Sequence, residues 1–567
     1  MISNSKKNKE IIENKYFIPI FVISVNLIFF LICNLVFELR YETIDDFNII
    51  NIISKLDGTY NFYAVYIHPV LSYIIMLLYK TGVNINWYTI FMLCLQFLSF
   101  TTIGIILLKK NRKIGIISYI FIILTIYMRI LVLINYTSVA AITILAGVIS
   151  IIYYIETSNK KTNILGLILI AVGTMLRWKS IIIVLPFYIV YMIYDIIKNK
   201  KYISIKMFIY ILIIFLTIYI SNSIIYKISP IYKHFTEFND VRTYFFDSNI
   251  LDYKENEEAV KKSGWTENDL ELLYTYSFAD ENFYTIENLT NLKNNINVDI
   301  NSKIDKVINS IVLFLYIAKY QYIYLFIFIC LITISACIFN KKSSIIIGYL
   351  LAFFILSLML CYTKPMYRVL VPTYGTTITM MTYMYIGAEK KNDNKPNKYD
   401  KIIQIVISFS SIIIIVLDCY SVYERRIVSD KRYTLLIKEL ISYINNDKNN
   451  AYVYANTFGN ISTAYSIYEK IPDNTFLNLR HMGDWDIYNK EYYIFKDRYN
   501  IDNIISDLYK KDNLYIITGS AGRANNTICY DHIGVITEYI KEHFEKVINY
   551  KVIKEFDYDI KIYKLYE

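Results

Sequence analysis

The strongest constraint on this chain is a succession of apolar runs about 20 residues long, separated by short polar turns from Tyr16 to Asp418. The apolar residues fall in continuous stretches and not at the 3.6-residue spacing of a half-buried helix. Composition agrees: 55% of the 567 residues are hydrophobic and only 19% are charged, where a soluble chain carries roughly a quarter. A soluble enzyme, a secreted disulfide scaffold and a disordered regulator are excluded. The fold expected is mainly α, a polytopic membrane protein.

A formal charge of +10 invites a nucleic-acid partner, but the Lys and Arg residues cluster in short turns between apolar runs. That is the pattern of cytoplasmic loops retaining positive charge, so no nucleic acid is expected and the lipid bilayer is the first partner. The abundance of Ile, Asn, Lys and Tyr points to an AT-rich genome. Cys33, Cys94, Cys330, Cys337 and Cys361 lie in or beside apolar runs and read as packing residues. Cys419 and Cys529 have no spacing that marks a disulfide or a metal site.

The run Tyr16 to Leu39 follows a basic lead (Lys6, Lys7, Lys9, Lys15) and has no small-residue cleavage site behind it, so it reads as an uncleaved first span with a cytoplasmic N-terminus. Residues 40–86 then form a large outer loop. Within it His68 to Leu78 is too short to span and is expected to lie at the interface, because a crossing there would put Lys109, Lys110, Arg112 and Lys113 outside. Further spans fall near 87–108, 114–131, 134–155, 164–176, 180–197, 205–226, 318–339, 344–361, 366–386 and 402–418, giving about eleven. The turns at Lys160-Lys161, Lys198 to Lys201, Lys341-Lys342 and Lys390 to Lys401 face inside, and residues 229–306 form a second outer loop.

The membrane domain is therefore expected over 1–418. Residues 419–567 have the composition of a soluble domain, expected to be a small extracytoplasmic α/β unit. Its β-rich runs are Ala451 to Tyr454, Leu514 to Ile517 and Ile560 to Tyr563, and its helical stretches are 433–445 and 531–550.

The most chemical segment follows the first span: Tyr41-Glu42-Thr43-Ile44-Asp45-Asp46. Adjacent carboxylates at the mouth of a span repel one another and raise the pKa of one, which suits a general base or a divalent-cation ligand. They equally suit a solvated cap on a helix running from Phe47 to Leu56. Downstream lies His68-Pro69-Val70-Leu71-Ser72-Tyr73, opening the short apolar helix. Cations near membrane depth include Arg177 and Lys179 in Leu176-Arg177-Trp178-Lys179, Lys364 and Arg368 in Lys364-Pro365-Met366-Tyr367-Arg368, and Arg129 within a span. Each could hold a lipid phosphate, and each could equally snorkel to headgroups. His481 to Asp486 has a ligand-like look but reads as a turn. Thr518 to Gly522 resembles a phosphate-binding turn, and Thr266 to Asp269 a capping box opening a helix.

The acidic pair after span one, followed by His-Pro-x-Leu-x-Tyr, resembles the first outer loop of the GT-C membrane glycosyltransferases. The nearest group is the dolichyl-phosphate-mannose-protein mannosyltransferases and their lipid A aminoarabinose transferase relatives. That family usually shows His-Pro-Pro, where this chain has Val70. The resemblance implies an inverting transferase taking a sugar from a polyprenyl-phosphate donor to an envelope glycan, lipid or protein acceptor at the outer face of the cell membrane. It puts the catalytic base on Asp45 or Asp46, the donor phosphate on Arg177 or Arg368, and His68, Tyr73 and Lys179 at the substrate. No cofactor is required by that chemistry, although Asp45 and Asp46 could hold a divalent cation. An O-antigen-type polymerase or ligase, a lipid-linked glycan transporter and a non-enzymatic envelope protein are the competing readings.

Overall fold

A segment of twenty apolar residues can satisfy its own backbone hydrogen bonds in lipid only as a helix, and the first run does so as α1 (Phe17–Val36). The structure is a computed structural model describing residues 16–200, 202–248, 251–296, 300–339, 342–386, 398–426, 430–455, 464–483, 487–518 and 532–567. The basic lead Lys6 to Lys15, Lys341, most of the basic turn from Lys390, Asp484 to Asp486, Gly519 to Gly522 and Cys529 lie outside the described residues.

After α1 come α2 (Ile44–Ile53), α3 (Pro69–Tyr79), α4 (Trp87–Lys110), α5 (Arg112–Val132), α6 (Tyr136–Thr157), α7 (Lys160–Leu176), α8 (Trp178–Asn199) and α9 (Ile203–Ile228). The second polar segment holds α10 (Pro230–Thr243), α11 (Tyr253–Lys262), α12 (Glu267–Tyr274) and α13 (Ile286–Asn295). The bundle then resumes with α14 (Ile300–Tyr320), α15 (Ile323–Phe339), α16 (Ser343–Thr363), α17 (Tyr367–Ile386) and α18 (Lys398–Glu424).

Among the described residues, seven helices are long and apolar enough to cross a bilayer: α1, α4, α5, α6, α8, α9 and α16. The α14–α15 pair makes an eighth if its two arms, bent by 95°, count as one span. The eleven expected from hydropathy are not reached on these criteria. α7 has only 17 residues. α17 is long enough but polar, carrying Pro372 and buried Thr373, Thr376, Thr377, Thr379 and Thr382. A helix enclosed by protein does not need a lipid-facing composition. α3, at 11 residues, is short as expected.

The centre of the bundle is α6, nearly all of it buried, packed tightly on α7. Gly147 and Gly166 permit that approach: a Cβ on Gly147 would lie 2.7 Å from the Gly166 carbonyl oxygen, which no ordinary side chain tolerates. At its C-terminal end α6 presents Glu156 to Lys110 of α4 (2.8 Å), to the Tyr383 hydroxyl of α17 (2.7 Å) and to Lys342 (3.9 Å). Its N-terminal end, about 30 Å away at 1.5 Å per residue, receives the polar segments.

Those segments assemble with a C-terminal α/β unit. Its sheet has the order β4-β3-β5-β7-β6, with β3 (Ala451–Tyr454), β4 (Leu479–His481) and β5 (Leu514–Thr518) parallel. β7 (Lys561–Tyr566) and β6 (Asn549–Glu555) add an antiparallel edge. Around it lie α19 (Lys431–Asn446), α20 (Lys490–Tyr499), α21 (Ile504–Lys510) and α22 (His532–Phe544). The helix expected over 531–550 stops at Phe544, and Asn549 instead opens the solvent-exposed edge strand. Thr266 caps α12 with Asp269 in the expected capping box.

The unit is bonded to both polar segments. Arg480 of β4 holds Asp57 at 2.7 Å, both side chains almost fully buried. The Lys55 and Leu56 carbonyls accept from the Asn474 and Phe476 backbone N–H groups. Asn61 donates to Tyr232 and Glu491, and His543 meets Asp269 at 2.7 Å. Removing one partner of a buried ion pair strands the other without water. Arg480→Ala is therefore predicted to cost about 3–5 kcal/mol, measured as a lower unfolding midpoint of the detergent-solubilised protein.

Candidate functional site

The acidic segment is fixed by a short parallel pairing. β1 (Arg40–Tyr41) lies beside β2 (Leu133–Ile134), and the Glu42 N–H donates to the Ile134 carbonyl at 2.8 Å. The chain stays extended through Thr43 and turns into α2 at Ile44. The helix thus starts three residues before the expected Phe47, and Asp45 and Asp46 occupy its first turn without acting as its cap. The two carboxylates diverge from there, since neighbouring helical residues point about 100° apart.

Asp46 points inward and is completely buried. Its Oδ1 accepts from the Tyr88 hydroxyl (2.7 Å) and from the backbone N–H of Tyr136 (3.1 Å), and its Oδ2 accepts from Asn135 Nδ2 (3.2 Å). Tyr136 is the first residue of α6 and Asn135 its N-cap. The carboxylate therefore sits on the N-terminus of the central helix, where free N–H groups and the helix dipole favour an anion. Burial nonetheless holds its pKa well above the ordinary value, against the hydrogen bond from Tyr88 and with Asp45 adding to the rise.

Asp45 points to the outer edge of the bundle. Its Oδ2 lies 3.0 Å from Nη1 of Arg368, and Glu42 Oε2 approaches the same nitrogen at 3.8 Å. All three side chains are 13–18% exposed. The Tyr136 hydroxyl reaches Asp45 Oδ2 at 3.5 Å, the outer limit of a hydrogen bond. Tyr136 stacks on Tyr66 with ring centroids 5.7 Å apart, and the Arg177 guanidinium covers both rings, 4.1 Å from Tyr66 and 5.6 Å from Tyr136. One tyrosine thus separates two guanidinium groups. Arg368 is paired with carboxylates, whereas the Arg177 side chain has no hydrogen-bonded partner among the described residues, only aromatic faces.

Asp45, Asp46, Arg177 and Arg368 are thus brought to one place, together with Glu42, Tyr88, Asn135 and Tyr136. The other expected residues make different contacts, although the His68 N–H donates to the Met175 carbonyl (2.8 Å), two residues from Arg177. His68 caps α3, its Nδ1 accepting from the Val70 N–H (3.3 Å) and its Nε2 lying 3.0 Å from Ser221 Oγ. Burial lowers its pKa, so at neutral pH it is a neutral imidazole donating from Nε2. Tyr73 is 46% exposed on the outer face of α3, edge-on to Phe62. Lys179 is exposed beside Trp178. Arg129 is closed on Asp418 at 2.5 Å deep among the helices. The Asn135-Tyr136 pair at the head of an apolar run was the sequence signal for the missing partners, since a buried helix needs an N-cap there.

The described residues hold one group of three side chains with the spacing of a cation site: Asp269, Glu542 and His543, whose ligand atoms lie within 4.8 Å of one another. It lies between α12 and α22. No family model matches the chain, and no curated protein matches its sequence.

Burial pushes Glu42 from 4.5 up to about 6, with Arg368 pulling it down and Asp45 pushing it further up. A carboxyl with a raised folded pKa binds protons more tightly when folded, so stability falls as pH rises from 4.5 to about 6. Relative to Glu42→Gln, the wild-type protein is predicted to lose up to about 2 kcal/mol across that window, read from thermal unfolding at a series of pH values.

Proposed function

We propose that this chain is a GT-C-type membrane glycosyltransferase that moves a sugar from a polyprenyl-phosphate donor to an envelope acceptor. The observation that carries the reading is the half-buried Asp45–Arg368 pair with Arg177 one aromatic ring away. A carboxylate able to take a proton and two cations able to hold a phosphate occupy one spot at the mouth of the bundle. The basic turns at the far end of the bundle, around Lys110 and Lys160, support a cytoplasmic far end and an outer-face site.

The two aspartates divide the work. Asp46, with both oxygens bonded and no access, holds α2 on α6 and orients its neighbour. Asp45 is the base. Arg177, with only aromatic faces against its guanidinium among the described residues, receives the donor phosphate. Arg368 then turns from Asp45 toward the phosphate, which frees the carboxylate at the moment the donor is in place. The acceptor hydroxyl gives its proton to Asp45 while its oxygen bonds to the anomeric carbon. The bond from that carbon to the phosphate oxygen breaks, and polyprenyl phosphate leaves with the electron pair. One displacement inverts the anomeric centre, and the leaving group needs charge neutralisation more than a proton. The chemistry requires no cofactor. The acidic first loop and the α/β unit over it favour this reading over a polymerase, a ligase or a transporter.

Turnover of undecaprenyl-phosphate sugars by the purified full chain tests it. Asp45→Asn is expected to lose about 10²–10⁴-fold in kcat, the range for removing a general base. Arg177→Ala is expected to act chiefly on the donor KM. Wild-type turnover by Asp45→Asn would overturn the assignment.

A further inference from the structure

Among the described residues, Val65 is the one β-branched side chain whose backbone lies in the left-handed region, at a φ of 48°. A branched Cβ is costly there, and such residues persist only where their surroundings force them. The Tyr66 N–H donates to the Ala64 carbonyl (2.6 Å), closing a three-residue turn with Val65 at its apex. Both flanks of the turn are pinned. Upstream, the Tyr63 N–H donates to Asn61 Oδ1 (3.1 Å), and the Tyr63 ring stacks on Tyr232 with centroids 3.9 Å apart. Downstream, Ile67 is buried and the next residue, His68, is the one bonded to the Met175 carbonyl.

What the turn delivers is the Tyr66 ring. It lies within 10° of parallel to Tyr136, and the Arg177 guanidinium carbon sits 4.1 Å from its centroid. How a guanidinium is held decides what it can still bind. Arg368 and Arg129 are held by carboxylates, at 3.0 and 2.5 Å, which occupy N–H donors and cancel the charge. An aromatic face attracts the cation without accepting the N–H groups at its rim. Arg177 therefore keeps its charge and its donors, and it is only partly buried. Its stem is fixed as well, since Arg177 closes α7 and its N–H donates to the Gly173 carbonyl at 3.0 Å. A cation so held can take a phosphate without first giving up a partner.

We propose that Tyr66, set in place by the strained turn at Val65, is a positioning residue for phosphate binding by Arg177. Its ring fixes the guanidinium and leaves the N–H rim open to the phosphate of a polyprenyl lipid. This role rests on Arg177 being the group that meets the donor phosphate. It does not depend on which carboxylate serves as the base.

The test is calorimetric titration of the full chain in detergent with farnesyl phosphate, and with farnesol as its uncharged counterpart. Arg177→Ala is expected to weaken farnesyl phosphate about tenfold to a hundredfold, the worth of hydrogen bonds to a charged group. Tyr66→Leu is expected to weaken it about twofold to thirtyfold, the range for a cation over an aromatic face. Tyr66→Phe keeps that face and is expected to bind like the wild type. Farnesol binding is expected to be unchanged in all three variants, whereas a general loosening of the loop would weaken both probes. Val65→Gly accepts the same φ and is expected to keep the affinity. Val65→Pro, with φ locked at about −65°, is expected to match Tyr66→Leu. Wild-type affinity in Tyr66→Leu beside a loss in Arg177→Ala would overturn the positioning role and leave the phosphate site standing. An equal loss of both probes in Tyr66→Leu would overturn it too. Unchanged affinity in Arg177→Ala would overturn the phosphate site and the role of Tyr66 together, and turnover by the Asp45 variant would still test the base separately.

Discussion

Everything at the polar end of this protein hangs on one buried carboxylate. Asp46 sits on the first N–H of α6, with Tyr88 and Asn135 completing its coordination. A carboxyl group in so dry a place is tolerated because a helix end supplies unpaired donors that would otherwise be stranded themselves. The same bonds join the loop after the first span to the heads of α4 and α6. Position, and not reactivity, is what Asp46 contributes.

With Asp46 fixed, the geometry of its neighbours follows. Asp45 is turned away by one helical step and finds Arg368 on α17. The next exposed stripe of α2 faces the sheet of the C-terminal unit, which is itself held by Asp57 and Arg480. A single ten-residue helix therefore has three assigned faces: one anchored in the bundle, one carrying a carboxylate beside two cations, and one turned to the C-terminal unit.

Part of this was legible in the chain. The membrane class followed from the apolar runs, and the acids after span one stood out because charge at a span mouth is costly. β3, β5 and β7 were marked by their β-branched and aromatic runs. Other elements were hidden for physical reasons. The helix expected over 366–386 is there as α17, but what surrounds its threonines, protein and not lipid, was not visible. β4, with Arg480 and His481 in a three-residue strand, carries charge where a strand pattern expects apolar residues. The first turn of α2 places Asp45 and Asp46 in opposite environments, which no linear spacing reveals. The family resemblance put His68 and Tyr73 at the substrate; that α3 sets His68 against Ser221 and leaves Tyr73 46% exposed was not visible in the motif. Arg368 joined it only because the bundle folds back on itself.

That last fact has a bearing on how the molecule comes into being. Asp45 and its arginine are separated by over half the chain. At the 5–20 residues per second of ribosomal synthesis, the early acids wait many seconds before their cation is made. During that interval Asp46 can already bond Tyr88, Asn135 and Tyr136, but Asp45 has no guanidinium beside it until α17 arrives. A chain that stops short of α17 therefore carries an anchored loop whose Asp45 lacks the group that balances it.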